Sequence, residues 1–409
     1  MSGTLVERFE QWWDRHASVI LAALSVPMAL LATLKIGDEF RRLLWDPGKA
    51  GAIDLRILHR WVAIWFSGEP LFSAHQYALY PPATHLILWP LLGWISVPTA
   101  RWVWAILLIV SLVVLSLFAM RISGAKTSPE KLFAILLLLS INGTGVAIGN
   151  GQLILLILPA LIGAALMIDR DSRFTARDAV SGSLLTWAMI KPSITLPFFW
   201  VFLFRRTHWR AGVFAIVLYG IATVVATAVQ KENLAVLFGQ MSNNVTTTTA
   251  LFPGTRNLHG VLTALGKPEW IVWATAAVLA GSGIIIYLLR RADLWVLIGI
   301  TALIARMGAY HRVYDDGLIL LAELALWRAA KLGATSAIRL TAWILLAANA
   351  LVMLCPARFL DYYPQYAWSA PWMWICTSVQ AAIWLLSLAC LIIVAQTNSS
   401  TLEHAQNKA

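Results

Sequence analysis

Apolar residues along this chain come in long unbroken runs separated by short polar connections. Runs at 17–36, 100–120, 131–148, 153–168, 211–229, 271–289, 338–354 and 372–395 approach the ~20 residues that cross about 30 Å of hydrocarbon at roughly 1.5 Å per residue. Shorter apolar pieces lie at 83–97, 179–190, 195–204, 294–305 and 317–327. Most reach only about 15–20 Å, so they predict half-helices, tilted hairpins or spans around a locally invaginated cavity. The pattern predicts an all-α, polytopic membrane protein of about 10–13 transmembrane or half-membrane helices. Residues 1–409 read as a single integral membrane domain, with large polar loops at 37–82 and 230–269. The first run lacks a convincing small-residue cleavage site and is expected to be a retained span.

Within the first loop, Ile53-Asp54-Leu55-Arg56-Ile57-Leu58-His59-Arg60-Trp61 departs from loop chemistry. As a helix over 53–66, steps of about 100° place Asp54 beside Leu58, Trp61 and Trp65 on the apolar face, with Arg56, His59 and Arg60 opposite. That predicts an interfacial helix with a carboxylate on its apolar side. Such a group costs free energy unless it is paired, protonated or used.

Composition supports a membrane protein throughout. The chain is 59% hydrophobic and 12% charged, with a mean hydropathy of +0.73, whereas soluble domains carry about 25% charged residues. A net charge of +11 would raise nucleic acid for a soluble protein. Here it reflects cytoplasmic loops and anionic membrane lipids, and no nucleic-acid partner is expected. Lys/Arg clusters at 121–131, 169–177, 205–210, 290–291 and 328–339 mark the cytoplasmic side. With both termini there, 37–82, 149–152, 191–192, 230–269, 306–316 and 355–371 fall on the extracytoplasmic side. The piece at 83–97 is either re-entrant, or it crosses and puts 121–131 outside. Many of the 21 tryptophans sit at run ends, as an aromatic belt does. Cys355, Cys376 and Cys390 show no metal-ligand spacing, and two lie inside apolar runs, which argues against disulfides.

This orientation gathers Asp38, Glu39, Asp54, His59, His75, Lys191, Arg256, His259, Arg306, His311, Arg312, Asp315 and Asp316 on one side. Asp54 reads as a helix N-cap, as a general base strengthened by desolvation, or as both. Asp38-Glu39 is a solvated span boundary facing Arg41-Arg42 or an acidic pair with a catalytic or metal role. Lys191-Pro192 is a snorkelling lysine at a hairpin tip or an ammonium placed for a phosphate. The segment from Arg306 to Asp316 is an internally paired loop or a phosphate site of arginine forks and a histidine. His59, His75 and His85 read as packing or surface groups, since no spacing resembles a metal site. Asn244-Val245-Thr246 fits a glycosylation sequon. The chain has no Walker A loop, no GxGxxG and no HExxH.

The order of motifs resembles a known family. Asp54-Leu-Arg-Ile-Leu-His59, then Trp65-Phe-Ser-Gly68-Glu-Pro-Leu-Phe72 and Tyr80-Pro81-Pro82, resemble the first outer loop of the GT-C glycosyltransferases of family 87. Gly149-Asn-Gly151-Gln152, Lys191-Pro192, Asn257-Leu258-His259-Gly260, and Tyr310-His311 with Tyr314-Asp315 follow in order, so the likeness covers roughly 18–330. In that family serine usually stands where this chain has Asn257, asparagine where it has His259, and tryptophan where it has Tyr310. The resemblance implies a catalytic base at Asp54 and donor-phosphate binding by Lys191, Arg306, His311 and Arg312. Asp38, His59, Tyr80, Gln152, Arg256, Asn257, His259 and Asp315 are the acceptor-side and other candidates.

The expected activity is inverting transfer of a sugar, mannose or another hexose or pentose. The donor is a polyprenyl-phosphate sugar, the acceptor a lipid or glycan, and the place the extracytoplasmic face of a bacterial inner membrane. No cofactor or metal is required by this reading, because cations without matching anions can neutralise the leaving phosphate. A transporter or flippase for an anionic lipid or glycan is the alternative, since broken helices fit it too. One-sided clustering of polar groups argues against it, and against a purely structural subunit.

Overall fold

The computed structural model describes residues 5–48, 50–167, 173–230, 232–251, 257–309, 311–354 and 370–406, and among them every regular element is helical. The long α1 (Leu5–Trp45) is followed by α2 (Ile53–Ser67), one-turn α3 (Leu71–Ala74), α4 (Pro82–Leu92) and long α5 (Val97–Ile122). Next come α6 (Ser128–Ser140) and α7 (Asn142–Asn150), bent by 51°. Three short helices follow, α8 (Ile154–Leu166), α9 (Ala176–Ala188) and α10 (Pro192–Phe204), then long α11 (Trp209–Gln230). The second large loop folds into α12 (Leu234–Leu251) and α13 (Leu258–Ala264). The chain continues with α14 (Ile271–Leu288), α15 (Leu294–Gly308), a 3-10 turn (Val313–Leu318), α16 (Ile319–Leu332), α17 (Ser336–Met353) and α18 (Ala370–Gln406).

Six of these helices are long and apolar enough to cross a membrane, and the α6–α7 pair makes a seventh span. The short helices α8, α15 and α16 are buried along nearly their whole length. Enclosed by other helices, they need not match the hydrocarbon thickness. The long spans instead turn apolar side chains outward, such as Val19 and Val26 on α1 and Val224 on α11.

The basic clusters meet at one end of the bundle. Lys331 pairs with Glu130 at 2.8 Å, and Arg328 pairs with Asp293 at 3.1 Å while donating to the Ile122 carbonyl. Arg205 donates to the Ala292 carbonyl at 2.8 Å and Arg210 to the Arg173 carbonyl at 2.6 Å. Capping boxes, Thr127 with Glu130 and Thr175 with Asp178, start α6 and α9 there.

The opposite end collects the loops that carry the candidate chemistry. Arg101, at the start of α5, donates to the Asp46 and Gly51 carbonyls at 2.9 and 3.0 Å, and His59 Nε2 donates to the Ile95 carbonyl at 2.7 Å. Both ends of α4 therefore lie at this end, because Thr84 Oγ1 also donates to the Ile190 carbonyl at 2.9 Å. The 83–97 piece does not run to the basic end: 11 residues reach only about 16 Å. The parity question is thereby answered, and 121–131 joins the other basic loops.

Two boundaries differ from the hydropathy reading. Helix α1 continues to Trp45, so Asp38 and Glu39 lie on it rather than in a loop starting at 37. The 131–148 run breaks near Ile141, where Lys35 of α1 donates to Asn142 Oδ1 at 2.7 Å. A polar side chain starting α7 gives the lysine a partner inside the span, which offsets its desolvation.

Candidate active site

Asp54 is the second residue of α2, and the N-cap position belongs to Ala52, so the N-cap reading of Asp54 does not hold. Ala52 adopts left-handed backbone angles, φ 49° and ψ 36°, a conformation that costs a β-carbon-bearing residue about 1–2 kcal/mol. The contact that holds it is the Ala52 N–H donating to the Gly149 carbonyl at 3.0 Å. The start of α2 is thereby locked onto the end of α7.

That docking brings the side chains of Gln152 and Asn150 into hydrogen bonds with the Asp54 carboxylate. Asn150 is held in turn by Arg42 of α1, which donates to its Oδ1 at 2.9 Å and pairs with Glu39 at 2.7 Å. The glycines on either side of Asn150 permit this approach. A β-carbon on Gly149 would overlap the Glu39 carboxylate and Arg42 guanidinium, and one on Gly151 would meet Leu55. Gly151 also has a φ of +70°, ending α7 in a turn that suits glycine.

Asp54 Oδ2 is buried and has no hydrogen-bond partner. Burial pushes the Asp54 carboxyl above its usual range, and the amides of Gln152 and Asn150 and the charges of Lys191 and Arg312 pull it back only in part. The result is a carboxylate of enhanced basicity with one bare oxygen, close to two cations.

Lys191 starts α10, with Pro192 in the first helical position. Its ammonium donates to both oxygens of Asp315 at 2.6 and 2.9 Å and lies over the Tyr314 ring, 5.0 Å from its centroid. His311 Nδ1 donates to Asp315 Oδ2 at 3.0 Å. Burial raises the Asp315 carboxyl, but Lys191 and His311 outweigh it, and the net direction is down. Burial lowers His311 by more than Asp315 raises it. A neutral His311 donating through Nδ1 leaves Nε2 as a lone-pair acceptor, and that atom is buried without a partner.

Lys191 and Arg306 therefore have matching anions, as the internally paired reading of 306–316 allowed. Arg306 is fully buried, pairs with Asp316 at 2.6 Å and stacks on Trp384, 4.9 Å from the ring centroid. Its charge also acts on His311. Arg312 is exposed and acts electrostatically on Asp54.

Asn257 caps α13, accepting from the Gly260 N–H at 2.8 Å, and donates to the His311 carbonyl at 3.1 Å. His259 Nε2 donates to Thr275 Oγ1 at 2.7 Å, and burial lowers it to about 4. Asn257 thus supports the 311–316 segment, while His259 ties α13 to α14. The other candidates lie apart. Asp38 forms an exposed ion pair with Arg41 at 2.8 Å, His59 faces away from Asp54, and Tyr80 packs on Trp61 with ring centroids 5.9 Å apart. Arg256, Tyr310 and Cys355 lie outside the described residues. The Asn244 amide is buried and donates to the Phe72, His75 and Ala78 carbonyls, so it staples the two outer loops and is sealed from glycosylation. Among the described residues no group of three His, Cys, Asp or Glu side chains is placed to hold a metal.

The structure brings Gln152 and Asn150 to Asp54 and pairs Lys191 with Asp315; the sequence did not single out Asn150, Arg42 or that pairing. The glycines flanking Asn150 were the available signal, since they mark a close backbone approach.

Fold and site define an all-helical, multi-pass membrane protein with a buried carboxylate–cation site at one end of the bundle. A model of glycosyltransferase family 87 matches residues 77–309, more than half of the chain. The protein belongs to that family and is a membrane glycosyltransferase. No curated protein and no solved structure matches it.

Proposed function

We propose that this protein transfers a sugar from a polyprenyl-phosphate donor to a lipid or glycan acceptor, with inversion, on the extracytoplasmic face of a bacterial inner membrane. The acceptor oxygen attacks the anomeric carbon while its proton passes to Asp54. The carbon–oxygen bond to the lipid phosphate breaks, and the phosphate leaves with the electron pair. Arg312 and Lys191 stabilise that departing charge. Lys191 does so less than its isolated charge implies, because Asp315 already offsets it. His311 is neutral in this scheme and its Nε2 accepts a donor or acceptor hydroxyl, while Arg306 braces the 311–316 segment from behind.

The observation that carries the reading is the bare, buried Oδ2 of a carboxylate whose basicity is raised beside two cations. Other buried carboxylate oxygens lack partners as well, Glu323 among them, and what sets Asp54 apart is its place beside Lys191 and Arg312. Mannose is the first sugar to test, with other hexoses and pentoses as comparisons. Purified protein in lipid nanodiscs would be given polyprenyl-phosphate mannose and an acceptor lipid, with product followed by mass spectrometry. Asp54→Asn is expected to lose at least about a hundredfold in turnover while binding donor. Full turnover by that variant would remove Asp54 as the base.

A further inference from the structure

At the basic end, opposite Asp54, a cavity of about 500 Å³ opens between the start of α1, the α5–α6 connection and the α16–α17 connection. It falls inside the roughly 300–1,000 Å³ range of small-molecule sites. Its lining carries four cations, Lys126, Arg328, Lys331 and Arg339, against one carboxylate, Glu130. Four less one leaves an excess of three, and Asp293, paired with Arg328 from outside the lining, reduces it to two.

The cations are held in place. Glu130 accepts from Lys331 at 2.8 Å and from the Lys126 backbone N–H at 2.6 Å. The Arg339 guanidinium donates to the Gly333 carbonyl at 3.0 Å and Ser336 Oγ at 2.9 Å. A guanidinium fixed in this way loses little freedom on binding an anion. One wall is aromatic, with Trp13 and Trp343 at 4.8 Å between ring centroids. Tryptophan beside basic side chains at the end of a bundle is the chemistry of the membrane–water interface, where anionic headgroups gather.

We infer that this cavity binds a phosphate-bearing ligand, supplied either by an anionic phospholipid headgroup or by a soluble phosphate. The phosphate sits among Lys126, Arg328, Lys331 and Arg339, and any attached apolar part lies along Trp13 and Trp343. The site is separate from Asp54 and does not depend on the sugar-transfer reading.

Thermal unfolding of the full-length protein in neutral detergent tests it, with dioctanoyl phosphatidic acid, dioctanoyl phosphatidylcholine or inorganic phosphate added. Phosphatidic acid is expected to raise the melting temperature in a saturable way beyond phosphatidylcholine. Lys126→Glu, at an exposed position, is expected to weaken that apparent affinity roughly fivefold or more. Arg339→Gln should weaken it further, and native mass spectrometry of bound lipid gives the same comparison if that variant melts early. A shift with inorganic phosphate equal to that with phosphatidic acid assigns the soluble source, and a shift with the lipid alone assigns the headgroup. Equal stabilisation by phosphatidylcholine, or unchanged affinity in both variants, overturns the inference.

Discussion

The Lys191 ammonium sits between the two carboxylate oxygens of Asp315, at 2.6 and 2.9 Å, although 124 residues separate them in the chain. The same carboxylate accepts from His311, so one anion joins the start of α10 to the segment that follows α15. Lys191 is thereby fixed in position at the cost of much of its net charge. Arg312, exposed on the same segment, acts electrostatically on Asp54, and the different settings of the two cations have consequences that can be measured.

Asp315→Asn leaves a buried ammonium without its anion, which is expected to cost about 3–5 kcal/mol of stability. The double variant Lys191→Met/Asp315→Leu should recover much of that loss, because an apolar pair replaces a buried ion pair at little net cost. Melting temperatures in detergent read both effects. Turnover should stay low in the double variant, since recovered packing does not restore a cation for the leaving phosphate.

Acid should silence the enzyme earlier than an ordinary aspartate would. A base must be deprotonated to act, and burial raises the Asp54 carboxyl, so the acid limb of kcat/KM should lie above the usual ~3.9 of an aspartate. Arg312 lowers that carboxyl in part. Arg312→Gln should therefore move the acid limb to still higher pH, in addition to reducing the plateau rate. A limb that stays in place would dissociate Arg312 from Asp54.

Gly149→Ala and Gly37→Ala form a matched pair of tests. The first places a β-carbon into Glu39 and Arg42, the pair that holds Asn150 beneath Asp54, whereas the second meets nothing within 4 Å. Gly37 lies inside α1, where alanine is favoured over glycine by about 1 kcal/mol. Gly37→Ala should raise the melting temperature with unchanged activity, while Gly149→Ala should cut turnover at least about tenfold. Equal activity in both would remove the Gly149–Asn150 platform from the mechanism.

The run lengths around 17–36, 100–120 and 211–229 appear as the long spans α1, α5 and α11, because burial in lipid is written residue by residue into hydropathy. Periodicity likewise placed Leu58, Trp61 and Trp65 on the buried face of α2. Family membership was legible too: the family model spans 77–309 and takes in the Tyr80-Pro81-Pro82, Gly149–Gln152, Lys191-Pro192 and Asn257–Gly260 motifs, while Asp54 and the 311–315 segment lie outside it.

Hydropathy and motif order thus carried the helical class and the gathering of the basic clusters at one end of the bundle, both properties of local composition. The bend before α7, the holding of α4 at one end of the bundle, the left-handed Ala52 and the pairing of Lys191 with Asp315 came only with the tertiary structure. Each depends on a partner far away in the chain: Lys35 for Asn142, Ile190 for Thr84, Gly149 for Ala52. A charge in the sequence has a sign but no partner, and only packing decides whether it remains available to a substrate or is offset by a neighbour. That is why Arg306, which the sequence left as either a phosphate ligand or one member of an internal pair, is found against Asp316, while Asn150, carrying no charge at all, stands in contact with Asp54.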